Sequence, residues 1–322
     1  NTKQGTILQI IPSLKSGGVE RGTIDTAIEL KKQNFTPLVA SNGGAMTSQL
    51  KSEEIEHIKL SLQTKNPLKI FLNIKKIKNI IKKHDVNLVH TRSRAPMISA
   101  YFACKNNPNV KTVTTVHGPY SVNMGNKTLS KFKILYNSFM FKSDAIITVS
   151  NFIKENSINN YQVLFEEKLA DKITMIPRGV DIKVFNPDAI PLPKTFDLAK
   201  KWGISPGKKV ILFPARITSW KGHELLIESL KHVKNDYVCV FVGSDHGHED
   251  FCDKIKKKIV NANLDSKIKF LGNQKDMHIV YSVADIVISA STKPEAFGRV
   301  AIEAQAMKKI IIATNIGGSL ET

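Results

Sequence analysis

Cysteine is scarce in this chain of 322 residues, which contains only Cys104, Cys239 and Cys252. The number is odd and no two form a C-x-x-C pair, so reduced thiols are expected instead of a disulfide framework or a cysteine zinc site. The segment richest in histidine and acidic residues, GSDHGHED at 243–250, has a spacing that matches no standard set of metal ligands. The sequence therefore predicts no metal site.

Long apolar runs are also missing from the sequence. No stretch approaches the ~18 apolar residues that a membrane-spanning helix needs, and the first residues, NTKQGTILQIIPS, contain no small-residue cleavage site. We therefore expect a cytoplasmic protein. Because 42% of the residues are hydrophobic, the chain can bury a large core, and its length favours two domains of ordinary size.

Arginine is rare among the basic residues, since only six of the 47 are arginine. Each lies in or beside a cluster of glycine, proline or histidine. The planar fork of arginine binds phosphate or carboxylate in a bidentate way that lysine cannot, although chance coincidence with loops is the alternative. The six are Arg21, Arg92, Arg94, Arg178, Arg216 and Arg299.

The net charge of +19 is unevenly distributed, because residues 1–185 carry +14 of it and nearly all of that surplus lies in 61–142. A basic surface on one part of one domain attracts anionic partners, which leaves nucleic acid, anionic lipid and phosphorylated sugars open. No aromatic-interleaved basic motif or helix-turn-helix pattern supports the first of these. We therefore expect no nucleic-acid partner.

Short β-rich runs alternate with amphipathic helical patterns along the chain, which is typical of parallel sheets in βαβ units. The predicted fold class is α/β, with two Rossmann-like domains that bind ligand in a crevice outside the carboxyl ends of their strands. The domains are expected at 1–185 and 186–322, joined by the proline-rich stretch 180–197. Strands are predicted at 6–11, 36–41, 86–90, 111–116, 144–149 and 172–176, then at 209–214, 237–242, 267–271, 285–290 and 309–313.

Both halves open with a strand, a short loop with glycine near its end, and an amphipathic helix. Neither loop contains G-x-G-x-x-G or the P-loop pattern, so a dehydrogenase or a P-loop NTPase loses its main support. The second loop, ARITSWKG at 215–222, places Arg216 just past a strand and Lys221 at the start of a helix. Two cations beside the positive end of a helix dipole suit a diphosphate, although a solvated strand end with two stray charges is the alternative.

Further candidates follow strands in the first half. In PSLKSGGVER the adjacent Gly17 and Gly18 precede a helix, where backbone N–H groups can approach a ligand closely, although such a pair is often only a tight turn. In TVHGPY the strand is followed by His117, whose ring is able to donate to a sugar hydroxyl or a phosphate oxygen.

The segment EAFGRVAIEAQAM at 295–307 carries two carboxylates eight positions apart. Pro294 breaks the chain after a strand, and a helix is predicted from about Gly298. Glu295 then lies beside the helix N-terminus, where the amides of Phe297 and Gly298 also point. Glu303 lies on the second turn and reaches the same cavity from the side. Because carboxylates accept hydroxyl hydrogen bonds, a hydroxyl-rich ligand is indicated, with Glu303 as an exposed helix residue the alternative.

Together these segments resemble the GT-B retaining glycosyltransferases of family 4, whose members build polysaccharides, lipopolysaccharides and glycolipids. The two glutamates match the family's E-x7-E signature, and the resemblance extends over most of the chain. Its other segments are GGVER (17–21), HTRSRAP (90–96), TVHGPY (115–120), SDAIITVSNFI (143–153), IPRGVD (176–181), PARITSWKG (214–222), LGNQKDM (271–277) and IGGSLET (316–322).

The resemblance implies a role for each candidate. Arg216 and Lys221 would neutralise the donor diphosphate in place of a metal ion, so no cofactor is expected beyond a UDP- or GDP-linked sugar as co-substrate. Glu303 would hold the ribose hydroxyls. Glu295 would position the transferred sugar and His117 would contact the donor near the reacting centre, which makes these two catalytic together with both cations. Backbone contacts to the donor are expected from Gly17, Gly18, Phe297 and Gly298.

The resemblance also implies that the first domain binds the acceptor, for which Arg92, Arg94 and Tyr120 are the expected contacts. Residues 65–83 put isoleucines on one helical face and lysines on another, and 127–142 is a second basic apolar segment. Such helices are able to rest on an anionic membrane surface that presents a glycolipid acceptor. A crossover helix packed on the sheet, with its lysines in water, is the alternative.

The expected function is therefore a retaining, metal-independent transfer of a sugar from a nucleotide sugar to a lipid- or saccharide-linked acceptor in envelope polysaccharide or lipopolysaccharide synthesis. A nucleotide-sugar epimerase of the same fold and, less favoured, a basic nucleic-acid-binding protein are the alternatives. Two departures from the family pattern stand out: Arg178 replaces a common asparagine, and the chain stops at Thr322 where members continue, so the second domain is expected to be incomplete.

Overall fold

The computed structural model describes residues 4–15, 17–64, 66–120, 127–245 and 247–322. The chain divides into two compact units, Asn1–Pro177 (unit one) and Arg178–Thr322 (unit two). The boundary therefore lies a little before the 185/186 junction expected from the sequence.

Unit one is built on a parallel sheet, which has seven strands among the described residues, in the order β3-β2-β1-β4-β5-β6-β7. The strands are β1 (Thr6–Ile10), β2 (Thr36–Ser41), β3 (Glu56–Lys59), β4 (Val86–Thr91), β5 (Lys111–Val116), β6 (Ala145–Thr148) and β7 (Ile173–Met175). The helices between them are α1 (Gly18–Lys32), α2 (Thr47–Ser52), α3 (Pro67–Lys83), α4 (Arg94–Cys104), α5 (Lys127–Ser138), α6 (Asn151–Tyr161) and α7 (Leu169–Lys172).

Helices cover both faces of this sheet, which is why its central strands are apolar on both sides. Leu8 and Ile10 of β1 pack against Ile77 of α3 on one face. On the other face Ile24 of α1 packs with Val39 of β2.

Unit two holds a second parallel sheet of five described strands in the order β10-β9-β8-β11-β12. Alternate residues of β8 and β9 face opposite sides, with Leu212 and Val240 in one core and Phe213 and Phe241 in the other. The strands are β8 (Lys209–Pro214), β9 (Tyr237–Val242), β10 (Ile268–Phe270), β11 (Ile286–Ser289) and β12 (Ile310–Ala313). The helices are α8 (Leu192–Lys201), α9 (His223–Leu230), α10 (Glu249–Asn261), α11 (Met277–Val283) and α12 (Arg299–Ala306).

The predicted α/β class with two Rossmann-like units is confirmed, and each predicted strand is present within a residue or two. The sequence missed β3, whose EHIK pattern is polar because this edge strand is only partly covered. The stretch 180–197, predicted to join the two domains, lies within unit two. Helix α8 begins inside it at Leu192, with Pro193 in the first turn where no helical N–H is needed, and Phe185 and Ile190 pack on the core of unit two.

Each sheet reverses its strand order at one point, between β1 and β4 in unit one and between β8 and β11 in unit two. In open α/β sheets the loops that leave two such neighbouring strands diverge and form a ligand site at the carboxyl edge. Among the described residues, no helix combines the length and the apolar character that crossing a bilayer requires.

Candidate active site

The candidate site of unit two lies where β8 and β11 end side by side. The two strands pair in parallel through Leu212 and Val287, so their carboxyl ends reach the same edge of the sheet. The loop 215–222 leaves β8 with both predicted cations, and the loop 290–298 leaves β11 with the first predicted glutamate. The residues that the sequence assigned to diphosphate and sugar therefore come from neighbouring strands.

The two loops are in direct backbone contact. Gly222 has φ +86°, and a Cβ atom built on it would overlap the carbonyl oxygen of Ala290. The Thr292 amide donates to the carbonyl of Trp220 at 2.8 Å. Only glycine permits both this left-handed backbone and this close approach, so the position of one loop determines that of the other.

Lys221 and Glu295 form an ion pair at the centre of this contact. The ammonium of Lys221 pairs with Oε1 of Glu295, and the two side chains are only 16% and 14% exposed. The Ser291 hydroxyl donates to the same Oε1. The ammonium also lies over the Trp220 ring, with the ring centroid 4.3 Å from Nζ, which is favourable cation–π geometry.

The backbone around Glu295 is anchored separately from its side chain. Residue 295 forms an isolated parallel bridge with Gly317, and the Gly318 amide donates to its carbonyl at 2.8 Å. A Cβ atom on Gly318 would overlap the Ala296 carbonyl, so a side chain there would push the two segments apart. The carboxylate is therefore presented from a rigid segment.

Glu303 lies on α12 in a buried polar cluster, so the alternative that it is merely an exposed helix residue is excluded. Its side chain is 13% exposed, with Oε2 accepting from the Tyr281 hydroxyl at 3.0 Å. Oε1 accepts from Arg299, whose Nε and Nη2 lie 3.1 and 2.9 Å away. Burial raises the pKa of Glu303 above its ordinary value and also raises that of Tyr281, which stays a hydrogen-bond donor. Two donors thus hold the carboxylate in one orientation.

Helix α12 begins as predicted. Gly298 precedes its first residue with φ +96°, and Phe297 is 6% exposed. The left-handed glycine turns the chain sharply into the helix, so the first turn follows directly on the segment that carries Glu295.

Arg216 differs from Lys221 in its surroundings. Its side chain is exposed, and within the described ranges no carboxylate lies within ion-pair distance of its guanidinium. Its loop is held by backbone bonds on both sides, from the Ala215 amide to Val242 and from the Ile217 amide to Ser244. The site thus offers one accessible cation and one that already has a partner.

In unit one, Arg92 is buried at the end of β4. It is 7% exposed, and its Nη1 donates to Gln9 Oε1 at 3.1 Å and to Thr26 Oγ1 at 3.3 Å. The guanidinium therefore ties β4 to β1 and α1. Its expected contact with an acceptor stays a prediction.

Arg94, Tyr120 and His117 come together at the same edge. The guanidinium of Arg94 lies 4.7 Å from the Tyr120 ring centroid and donates to Asn137 at 3.3 Å. The Tyr120 hydroxyl hydrogen-bonds the backbone of His117, and removal from water raises the pKa of the phenol above its ordinary value. The Tyr120 carbonyl accepts from the Tyr161 hydroxyl at 3.2 Å. Arg94 and Tyr120, which are predicted to contact the acceptor, therefore lie beside His117, which is predicted to contact the donor.

The glycine pair lies at the start of α1, at the end of the loop that follows β1. Gly17 has φ +137°, and a Cβ atom there would lie 2.6 Å from Oε2 of Glu20, while Gly18 is the first helical residue. The tight turn is real, and a phosphate contact by these amides stays a prediction.

The sequence did not identify the side chains that hold the predicted ones. Ser291, Trp220, Tyr281 and Arg299 were not singled out for these roles. Only Arg299 gave a local signal, because it lies four residues before Glu303 on the same helix face. Among the described residues no group of three or more potential ligands could hold a metal, and His246 of the histidine-rich segment lies outside the described residues.

Comparison with known proteins identifies the family of the chain. Residues 16–184 match the model described as Glycosyltransferase Family 4, and residues 195–322 match the one described as Glycosyl transferases group 1. A solved glycosyltransferase from Rickettsia africae ESF-5 is 44% identical over 99% of this chain and 82% of that one, with a TM-score of 0.87.

More distant proteins agree in fold or over part of the chain. Anabaena HepE, solved in complex with UDP and glucose, is 22% identical over 99% of this chain and 83% of its own, with a TM-score of 0.82. LpsB of Rhizobium meliloti (strain 1021), a lipopolysaccharide core biosynthesis mannosyltransferase, is 30% identical over 152 residues, which are 46% of this chain and 42% of that protein. The chain spans about half the length of the curated relatives it matches, between 42% and 59% for three of them.

Proposed function

The chain belongs to glycosyltransferase family 4, and from this premise we propose that it is a retaining, metal-independent hexosyltransferase. It moves a sugar from a nucleoside-diphosphate sugar to a lipid- or saccharide-linked acceptor in the synthesis of envelope polysaccharide or lipopolysaccharide. The observation that carries the proposal is the pair Lys221 and Glu295, a cation and a carboxylate presented by neighbouring loops at the carboxyl edge of one sheet.

The cations suit the diphosphate of the donor. Arg216 is exposed and able to bind two phosphate oxygens at once, and Lys221 supplies a compact charge beside it in the loop. Two cations presented by one loop stabilise a departing nucleoside diphosphate, which is the work that a metal ion does in other sites. A UDP- or GDP-linked sugar is proposed, and the UDP bound by Anabaena HepE favours UDP as the first ligand to try.

The carboxylates suit the hydroxyl groups of the donor. A carboxylate accepts about four hydrogen bonds, so Glu303 retains acceptor capacity for ribose hydroxyls after its bonds with Tyr281 and Arg299. Glu295 likewise has Oε2 available in addition to the occupied Oε1. We assign Glu303 to the ribose and Glu295 to the transferred sugar.

The state of Glu295 bears on the route by which retention is proposed to occur. A carboxylate whose charge is neutralised by a lysine and whose oxygen accepts from Ser291 is a weak nucleophile, so a covalent sugar intermediate is disfavoured. In the proposed step the bond from the anomeric carbon to the phosphate oxygen breaks while the acceptor hydroxyl attacks from the same face. The leaving phosphate takes the hydroxyl proton, and the chain contributes positioning and charge stabilisation.

The proposal is tested by thermal-shift measurements with UDP, GDP, UDP-glucose and GDP-mannose, each with and without EDTA. We expect stabilisation by one base series, unchanged by EDTA and lost in Arg216→Ala. The ligand that binds then enters a transfer assay with lipid and saccharide acceptors, and the anomeric configuration of the product is read by NMR. Loss of binding in EDTA would contradict metal independence, and conversion of the donor sugar without any acceptor would favour an epimerase.

The acceptor is proposed to be presented at an anionic membrane surface, which α3 is suited to contact. This helix contains six lysines and no acidic residue. One side is packed on the sheet through Ile77 and Ile81, yet Leu68, Phe71 and Leu72 on the other side are 73%, 63% and 48% exposed. Large apolar side chains beside lysines bind the headgroup region of anionic bilayers. One side of α3 therefore packs on the sheet, while the apolar side chains near its N-terminus are exposed and able to contact a membrane.

Replacing Leu68 and Phe71 together by serine is expected to weaken binding to phosphatidylglycerol vesicles by about tenfold or more, because the variant has less apolar surface to bury. Co-sedimentation with phosphatidylglycerol and phosphatidylcholine vesicles measures this. Val163→Ser is the matched control, because Val163 is 87% exposed in the same unit but lies outside α3. Equal vesicle binding by the double variant and the control would exclude α3 as the contact surface.

A further inference from the structure

The ion pair between Lys221 and Glu295 has a consequence for which ligands the site accepts. Both members are predicted to contact the donor, yet within unit two they neutralise each other and are largely removed from water. Arg216, by contrast, is exposed and has no carboxylate partner in the described part of the chain. The two cations offered to a diphosphate are therefore not equivalent.

An anion that draws Lys221 to itself removes the counter-charge of Glu295. The carboxylate is 14% exposed, so water replaces the lost partner only in part, and the remaining bond from Ser291 does not carry a full charge. Stripping a largely buried carboxylate of its cation is unfavourable. A simple anion that binds Lys221 therefore loses affinity, because its binding leaves the Glu295 carboxylate without a cation.

A ligand that brings hydroxyl groups together with the anion avoids this penalty. Its phosphate takes the ammonium of Lys221, and its hydroxyls donate to the carboxylate of Glu295 in place of the ammonium. Both members of the pair then keep a partner. A free nucleoside diphosphate satisfies the lysine alone, and it also brings an additional negative charge near the carboxylate.

We propose that Glu295 is a specificity-determining residue that, through its ion pair with Lys221, makes the site select a nucleoside diphosphate bearing a sugar over the free nucleoside diphosphate. The inference rests on the proposed function and deepens it. The same preference favours release of the product after transfer, because the free diphosphate loses the hydroxyls that compensated Glu295.

Glu295→Gln separates the charge from the shape of this side chain. The amide retains an acceptor for Ser291 and a similar volume, but it places no negative charge on Lys221. We expect the affinity for free UDP or GDP to rise by about tenfold, the affinity for UDP-glucose or GDP-mannose to rise less or fall, and the preference for the sugar nucleotide to shrink accordingly. Isothermal titration calorimetry of the four ligands measures both affinities.

Ser291→Ala shifts the preference in the opposite direction. Without the hydroxyl donor, Glu295 depends more heavily on Lys221, so a free diphosphate is expected to bind more weakly while the sugar nucleotide is affected less. Glu228→Gln is the matched control, because this carboxylate pairs with Lys231 and Lys258 on the surface of α9. It removes one negative charge from the same unit and is expected to leave the preference unchanged.

The possible outcomes are distinguishable. An unchanged or increased preference for the sugar nucleotide in Glu295→Gln overturns the inference and leaves the proposed function intact. If Glu295→Gln does not fold, the shift in Ser291→Ala decides, and a preference equal to that of the wild-type chain overturns the inference. Failure of the wild-type chain to bind any of the four ligands contradicts the proposed function and the inference with it.

Discussion

Lys221→Met is expected to lower kcat/KM for sugar transfer by about 10²–10³-fold, the effect of removing one preorganised charge-stabilising group. Methionine keeps most of the length and volume of lysine, so the loss isolates the charge that stabilises the departing diphosphate. Steady-state kinetics with the nucleotide sugar found to bind measures this effect. Transfer at the wild-type rate would remove Lys221 from the catalytic residues.

The same substitution is expected to destabilise the folded chain by roughly 2–3 kcal/mol, because it leaves the carboxylate of Glu295 largely buried without its cation. Urea unfolding at neutral pH measures this difference. The control is Lys231→Met, whose partner Glu228 is 48% exposed in a surface pair. Exposed surface pairs contribute little to stability, so the control should stay close to the wild type in both stability and turnover.

The strands and the edge that carries the site were predictable because parallel βαβ units repeat a simple pattern. An apolar run followed by an amphipathic helix indicates a buried strand, and the carboxyl ends of such strands share one edge. The pattern therefore predicts that Arg216, Lys221 and Glu295 lie at one edge of the sheet. Edge strand β3 lacked this signal, since its exposed residues are polar.

The side-chain partners were not predictable from the sequence, because they depend on packing between distant segments. Lys221 and Glu295 are separated by 74 positions, and no local pattern distinguishes a carboxylate that binds ligand from one that pairs with the neighbouring loop. The Tyr281 hydroxyl reaches Glu303 from α11. Tyr281 is a buried residue of a short helix, and no pattern in the sequence indicates that its hydroxyl contacts Glu303. The sequence thus indicated candidate groups at one edge of the sheet, whereas the structure shows which side chains hold them.

The same distinction applies to the linker prediction. Three prolines in 180–197 indicated an interruption of regular structure, yet Phe185 and Ile190 supply apolar side chains to the core of unit two. Proline in the first turn of a helix removes no hydrogen bond, so Pro193 is compatible with α8. Composition indicated where the backbone changes direction, but burial decided to which unit the segment belongs.

Gly222→Ala is expected to cause the largest loss of stability among single-methyl substitutions in the site loops, roughly 3 kcal/mol. A left-handed backbone at φ +86° costs an alanine about 1–2 kcal/mol, and the added Cβ would overlap the carbonyl oxygen of Ala290, with overpacking costing about 1–3 kcal/mol more. Relief of the overlap requires the loop after β8 to move away from the loop after β11. We therefore expect sugar-nucleotide binding to fall together with stability, because the movement separates Lys221 from Glu295.

Gly207→Ala separates the two causes. Gly207 has φ +82°, nearly the value at Gly222, but nothing lies within 4 Å of a Cβ atom built there. Its alanine variant is expected to lose only the conformational contribution, about 1–2 kcal/mol, and to bind the sugar nucleotide like the wild type. Urea unfolding and calorimetric titration of both variants give the comparison. Equal destabilisation would show that the strained φ explains the whole effect, and the close contact between the two loops would then have no part in holding the ion pair together.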